Sequence, residues 1–372
     1  MVPNSVLEID LSALSQNVQA IKKLLSPGVK LCAVVKADAY GLGAVPISRK
    51  LEQIGVNYLA VYDASQAEPL LDAGIQSNVL IFKPEMDLPD SPAALQALHR
   101  SQLHFALHSP EQLQRLRSKA SWLKIRLPVH VEIDTGMSRG GLLPAEAQAL
   151  IKQAMSYPEI DLAGVFTHAS SADTDSNVTL QQQQIFEAAL AGLPTGVTRH
   201  LANTWATLSS KQCHNSMVRV GLGLWGYPSE GNWAMAGLKP ITRWSSHFVH
   251  VKIVPKGSYV GYNRTFRTNR DTRIGIVPVG YADGYPLLLS NQGVVRVSPQ
   301  NIPANLIGRV NMDQIMIDIT DVPEAQVGTP LELISNDPKA PNSMHTLAKL
   351  AQSHPYEMLC RISPRVMRKY VG

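Results

Sequence analysis

The chain has 372 residues, enough for two domains, and 45% hydrophobic against 17% charged residues can build a large core. A net charge of +5 is spread thinly, with no Lys/Arg block and no interleaved aromatics, so nucleic-acid binding is excluded and anionic small molecules fit better. No apolar run reaches the roughly 18 residues of a membrane span, the opening Met1-Val2-Pro3-Asn4-Ser5-Val6-Leu7-Glu8 lacks the features of a secretory signal, and three scattered cysteines (Cys32, Cys213, Cys360) suit a reducing cytoplasm rather than a disulfide frame or a metal site.

The first strand is predicted over 31–36. Its apolar run Leu31-Cys32-Ala33-Val34-Val35 ends on Lys36 and continues as Ala37-Asp38-Ala39-Tyr40-Gly41. Burying an unpaired ammonium costs several kcal/mol. Such a lysine either works as a Schiff-base lysine or snorkels out of the strand end, and the motif alone does not choose. Further strands are predicted over 58–62, 79–83, 103–107, 127–133, 162–167, 198–202 and 217–221. Helix-period segments such as Ala94-Leu95-Gln96-Ala97-Leu98 and Glu111-Gln112-Leu113-Gln114-Arg115-Leu116 lie between them. Eight strand–helix repeats predict an α/β fold, a (β/α)8 TIM-like barrel over 8–232. The run Gln181-Gln182-Gln183-Gln184 reads as a solvated helix face.

Gly226-Tyr227-Pro228 opens a linker that extends through Pro240. Strands then follow one another with few helices, over 247–254, 273–279, 294–297, 314–319 and 331–334. They predict a mostly β domain over 240–372, with residues 1–7 as a candidate addition.

A barrel of this kind keeps its chemistry at the C-terminal ends of its strands. Strand one ends at Lys36. Strand five runs into Glu132-Ile133-Asp134-Thr135-Gly136-Met137-Ser138-Arg139, with Asp134 expected to orient that loop. Strand six ends at Thr167-His168 and strand seven at His200-Leu201-Ala202-Asn203-Thr204. Strand eight carries Arg219 and runs into Gly221-Leu222-Gly223. Asn203-Thr204 and Gly221-Leu222-Gly223 read either as a phosphate cradle or as two ordinary turns.

These stretches, with Val260-Gly261-Tyr262, Val279-Gly280-Tyr281-Ala282-Asp283-Gly284, Gly308-Arg309-Val310-Asn311-Met312-Asp313 and Pro355-Tyr356-Glu357, occur in the order found in alanine racemases. The chain resembles that family over nearly its whole length. The resemblance implies pyridoxal 5′-phosphate as cofactor, an amino-acid substrate, and a homodimer whose sites are shared between subunits. It implies Lys36 as the residue that carries the cofactor as an internal aldimine and as one acid/base. Tyr262, from the second subunit, would be the other. Tyr40, Asn203, Thr204, Gly221, Leu222 and Tyr356 would bind the cofactor, most of them at its phosphate. His168 would lie beside the ring, and Arg219, supported by His200, would face its nitrogen. Arg139 and the Met312 backbone would receive the substrate carboxylate, and Tyr281 and Tyr356 would narrow the entrance. Glu132 and Asp313 would support these residues. No metal is implied.

Racemisation takes an α-hydrogen from one face and returns it to the other, so it needs an electron sink and two opposed bases. Lysine and tyrosine both titrate at about 10 in water. Tyr262 therefore needs a positive neighbour, and His168 is the expected one. An arginine cannot leave its proton on the ring nitrogen. Arg219 is thus expected to weaken the sink and limit side reactions such as transamination.

Three features depart from the family pattern. Many members carry a carbamylated lysine at the position of Glu132, and here a carboxylate is expected to orient Arg139 without carbon dioxide. Gly140-Gly141 follows Arg139, and Asn263-Arg264-Thr265 follows Tyr262. These leave serine or broader amino-acid racemisation as an alternative to alanine. A non-catalytic pyridoxal-phosphate-binding protein and a basic-amino-acid decarboxylase of the same fold are weaker alternatives. The first resembles the barrel alone, and the cysteine-containing motif of the second is not evident.

Overall fold

A computed structural model of the chain describes residues 3–228 and 237–372. The end of the predicted barrel at 232 and most of the predicted linker lie outside the described residues.

The chain starts with strand β1 (Ser5–Asp10) and helix α1 (Leu11–Leu24), which Asp10 caps by accepting the Ala13 N–H. Eight parallel strands follow: β2 (Lys30–Val34), β3 (Tyr58–Val61), β4 (Asn78–Ile81), β5 (Leu103–Leu107), β6 (Leu127–Glu132), β7 (Ile160–Phe166), β8 (Thr198–His200) and β9 (Met217–Val220). They run round the barrel in chain order, and β9 pairs with β2. The seam between β8 and β9 is joined by Ser216 N–H to Arg199 C=O at 3.0 Å and Arg219 N–H to Ala202 C=O at 2.8 Å. Most strand residues are buried on both faces, as expected where side chains fill the barrel and helices cover it. The predicted fold class, a (β/α)8 barrel followed by a mostly β part, is the observed one.

The rest is mostly β. A six-stranded sheet takes β10 (Thr242–His247), β15 (Val294–Val297), β16 (Ile302–Asn305), β18 (Pro330–Ile334), β19 (Met367–Val371) and β1. β1 pairs antiparallel with β10 and parallel with β19. A three-stranded sheet holds β11 (His250–Val254), β14 (Thr272–Val277) and β17 (Ile315–Asp318), and a short ribbon pairs β12 (Tyr259–Val260) with β13 (Phe266–Arg267).

One predicted strand, 247–254, is two strands in different sheets. The chain changes sheets at Phe248, whose backbone pairs with the 328–329 turn, while Val249 N–H already bonds Ile276 C=O. Phe248 is fully buried at this corner.

A second reading is also corrected. Within the glutamine run, Gln182 is buried. Its Nε2 donates to Thr135 Oγ1 and His168 C=O, and its Oε1 accepts the Ser170 N–H. It ties together the loops that leave β6 and β7.

Candidate active site

The turn after β2 is the most unusual backbone in the barrel. Ala37, Asp38, Ala39 and Tyr40 all take left-handed φ between 52° and 62°. Each such non-glycine residue costs about 1–2 kcal/mol, so the surroundings must hold the turn in place. Asp38 Oδ1 accepts the Ala44 N–H at 2.6 Å, Arg368 on β19 donates to Gly41 C=O, and Tyr370 Oη donates to Leu42 C=O. The turn leaves Lys36 half-buried and Tyr40 buried, both in the lining of the cavity at the barrel mouth.

Lys36, Tyr40, Glu132, Arg139, His168, Asn203, Thr204, Arg219, Gly221, Leu222 and Tyr356 line one cavity of about 490 Å³ at the strand ends. Eleven positions expected on sequence grounds thus converge. Tyr356 comes from the helix Pro355–Arg361 in the C-terminal part of the chain, and its ring lies 6.0 Å from that of Tyr40.

One wall is suited to a phosphate. Thr204 Oγ1 accepts the N–H groups of Gly221 (3.2 Å) and Gly223 (3.4 Å). A Cβ on Gly221 would overlap Tyr40 Oη, so the glycine lets that hydroxyl approach the backbone. Asn203 caps the helix Thr204–Ser209 through the Ala206 N–H.

A neighbouring part of the lining is cationic. Arg219 is 3% exposed, and among the described contacts all its acceptors are neutral. It donates to His200 Nδ1 (2.9 Å), to the His200, Thr167 and Leu201 carbonyls, and to His168 Nδ1 (3.3 Å). Burial lowers its pKa to about 10. Burial, then the charges of Arg219, Arg139 and Lys36, pushes His168 down to about 3. In the single chain His168 thus favours the neutral imidazole, whereas the expected role beside a tyrosinate called for a charged one. Burial and the neighbouring cations both disfavour a second positive charge at this point.

Lys36 is lowered from the ordinary lysine value by burial and then by Arg139. More of it is a free amine at neutral pH than of a surface lysine. Trapping of an aldehyde by borohydride on Lys36, followed by mass spectrometry against pH, should therefore have its midpoint below the ordinary lysine range. Arg139→Leu removes a repelling charge and should move that midpoint upward.

Glu132 meets a partner that sequence reasoning missed. Its Oε2 lies 3.3 Å from His108 Nε2, and His108 Nδ1 accepts the Gly141 N–H. No ion pair between Glu132 and Arg139 occurs among the described residues, so the expected direct contact is not seen. A Cβ on Gly140 would come within 3.2 Å of both Glu132 Oε2 and His108 Cε1. The small residues after Arg139 thus make room for a carboxylate–imidazole pair that shapes the loop. Asp134 Oδ1 accepts three N–H groups of the same loop, from Gly136, Met137 and Ser138.

The remaining positions lie outside this cavity lining. His200 is fully buried behind Arg219. Tyr262 (69% exposed), Tyr281 and Met312 are surface residues. Tyr281 and Met312 are held together by Tyr281 N–H to Asn311 C=O and Ala282 N–H to Met312 C=O. Asp313 pairs with Arg365 at 2.7 Å. Among the described residues no group of three or more metal-ligating side chains is placed to hold an ion, and no helix is long and apolar enough to cross a membrane.

Known proteins share this plan. Residues 9–229 match the model of the alanine racemase N-terminal domain, and residues 241–370 match that of the C-terminal domain. An alanine racemase of Desulfovibrio desulfuricans is 38% identical, covering 98% of this chain and 97% of that protein. One from Halothermothrix orenii is 36% identical over 98% of this chain and 96% of its own. The alanine racemase crystal structure from Streptomyces lavendulae superposes with a TM-score of 0.89 at 28% identity, over 100% and 98% of the two chains. That from Bartonella henselae, which carries covalently bound pyridoxal phosphate, gives 0.85 at 26% identity over 99% of each. By both domains, in order and over their full extent, the chain belongs to the alanine racemase family.

Proposed function

We propose that the protein interconverts L- and D-alanine with pyridoxal 5′-phosphate, as a cytoplasmic homodimer that supplies D-alanine for peptidoglycan. The observation that carries this reading is the convergence of Lys36, Arg219 and the Tyr40–Thr204–Gly221 cradle on one cavity. Those residues fit the cofactor. An amine with a lowered pKa can condense with its carbonyl, the Thr204 and Tyr40 hydroxyls can donate to its phosphate, and a buried guanidinium can meet its ring nitrogen. When bound, pyridoxal phosphate supplies the electron sink that makes an α-hydrogen removable.

The chain's own residues do the rest. Lys36 Nζ takes or returns the proton on one face. Arg139 orients the substrate carboxylate, and the His108–Glu132 pair steadies its loop. Arg219 stays a donor toward the ring. The second base is Tyr262 Oη of a second copy of the chain. Its exposure and its absence from the cavity lining of its own chain support that assignment. Tyr281, Met312 and Asp313 belong to the same C-terminal part and complete the entrance.

The test is direct. Purified protein with pyridoxal phosphate is incubated with L-alanine, L-serine and L-lysine, and D-enantiomers and released carbon dioxide are measured. D-alanine formed fastest supports the reading. Carbon dioxide from lysine, or no turnover at all, overturns it. A further expectation concerns Glu132. Glu132→Gln should raise KM for alanine about tenfold with a smaller change in kcat, because it weakens the His108 pair that steadies the loop carrying Arg139. An unchanged KM in steady-state kinetics would remove Glu132 from that role.

A further inference from the structure

Barrel interiors of this type are filled mainly by branched apolar residues. This one contains a row of imidazoles. His104 on β5, His130 on β6 and His200 on β8 are 5%, 0% and 0% exposed. His104 Nδ1 lies 3.0 Å from His130 Nε2, His130 Nδ1 lies 2.8 Å from His200 Nε2, and His200 Nδ1 lies 2.9 Å from the Arg219 guanidinium.

The backbone is shaped to allow this. His130 must reach past β7 to meet His200. The residue of β7 opposite it is Gly164, whose Cβ would collide with His130 Nδ1. The β6–β7 register shifts between Val129 and His130. Without that bulge Ala163 would stand there instead. Bulges commonly re-aim side chains beside active sites.

We propose that His130 and His104, with His200, are positioning residues for Arg219, forming a one-way hydrogen-bond chain that locks the guanidinium as a donor facing the cavity. The direction is forced by chemistry. Arginine only donates, so His200 Nδ1 accepts and its proton sits on Nε2. His130 Nδ1 must then accept, which puts its proton on Nε2, and the same holds for His104. The hydrogen bond of His104 with the Ser101 backbone ends the chain. A proton on any of the three Nδ1 atoms would set donor against donor. All three rings are thus neutral Nε2–H tautomers, and burial favours the same state, holding His104 down at about 4 and the other two well below the usual value. A flipped His200 would repel Arg219, and the two histidines behind it prevent the flip. The inference rests on the reading of Arg219 as the group that meets the cofactor ring.

The test is long-range 1H–15N NMR of 15N-histidine-labelled holoenzyme, with His104→Gln, His130→Gln and His200→Gln used for assignment. Three neutral Nε2–H imidazoles are expected, and a single Nδ1–H or charged ring among them overturns the chain. His130→Leu and Gly164→Ala should each lower kcat about tenfold, the scale of one hydrogen bond, and shift the His200 Nε2–H resonance. KM and cofactor content should change little. His130→Gln keeps one donor and one acceptor and should recover most of the loss. Wild-type kcat and an unshifted His200 signal in soluble Gly164→Ala would refute the proposal. An inactive wild-type protein with the expected tautomers would refute the function proposed above and leave the chain standing.

Discussion

Lys36→Ala is expected to leave less than about one-thousandth of the wild-type kcat, since it removes both the attachment point and one of the two bases. Lys36 is the one lysine in the cavity lining, and it faces Arg139, Arg219 and a neutral His168. No neighbour there can take its place. Arginine does not give up its proton, and burial beside Arg219 and Arg139 lowers the proton affinity of His168. Borohydride reduction of the wild-type holoenzyme should add the mass of one pyridoxal phosphate to the peptide containing Lys36, and the variant should gain none. Circular dichroism and gel filtration report whether the left-handed turn survives the change. A folded variant with activity within tenfold of wild type would mean that another group carries the chemistry.

The reason Lys36 could be picked out from the sequence is local. A charged residue closing a fully apolar strand is conspicuous, and so are polar residues at the ends of several strands in a row. Those positions needed only a short apolar run followed by a turn to be placed at strand ends. His104, His130 and His108 carry no such mark. Each lies within or at the end of a strand, and its role is set by a partner 24 to 70 residues away. Gly164 looks like any strand glycine until His130 is seen to occupy the space of its missing side chain. The left-handed turn was equally hidden. Ala37, Asp38, Ala39 and Tyr40 have no preference for positive φ beyond that of Asp38, and the turn is held by Arg368 and Tyr370 from the far end of the chain. In the β domain the two-residue strands β12 and β13 fall below the length at which alternation is readable, Pro303 masks β16, and the Phe248 corner looks like continuous strand because a buried aromatic fits both sheets. Long-range packing, rather than local pattern, decided each of these.

Tyr262→Phe is expected to lower kcat by at least about a hundredfold by removing the second acid/base, and the more informative result comes from mixing it with Lys36→Ala. If Tyr262 acts across a dimer interface, each site takes Lys36 from one chain and Tyr262 from the other. Each variant alone then has two dead sites. A heterodimer has one site lacking both groups and one site with both intact. Equal amounts, unfolded and refolded together or co-expressed, give half heterodimers, so about a quarter of all sites should be active by the counting that a two-fold interface imposes. If Tyr262 instead folds back onto its own chain, every site in every dimer lacks one base and mixing restores nothing. The exposure of Tyr262 in the single chain and its place outside that chain's cavity lining favour the first outcome. Recovery should saturate near equal stoichiometry and vanish when a chain carrying both substitutions replaces either partner. The same experiment separates a loss of chemistry from a loss of folding, because a misfolded Tyr262→Phe chain could not supply an intact Lys36 to its partner.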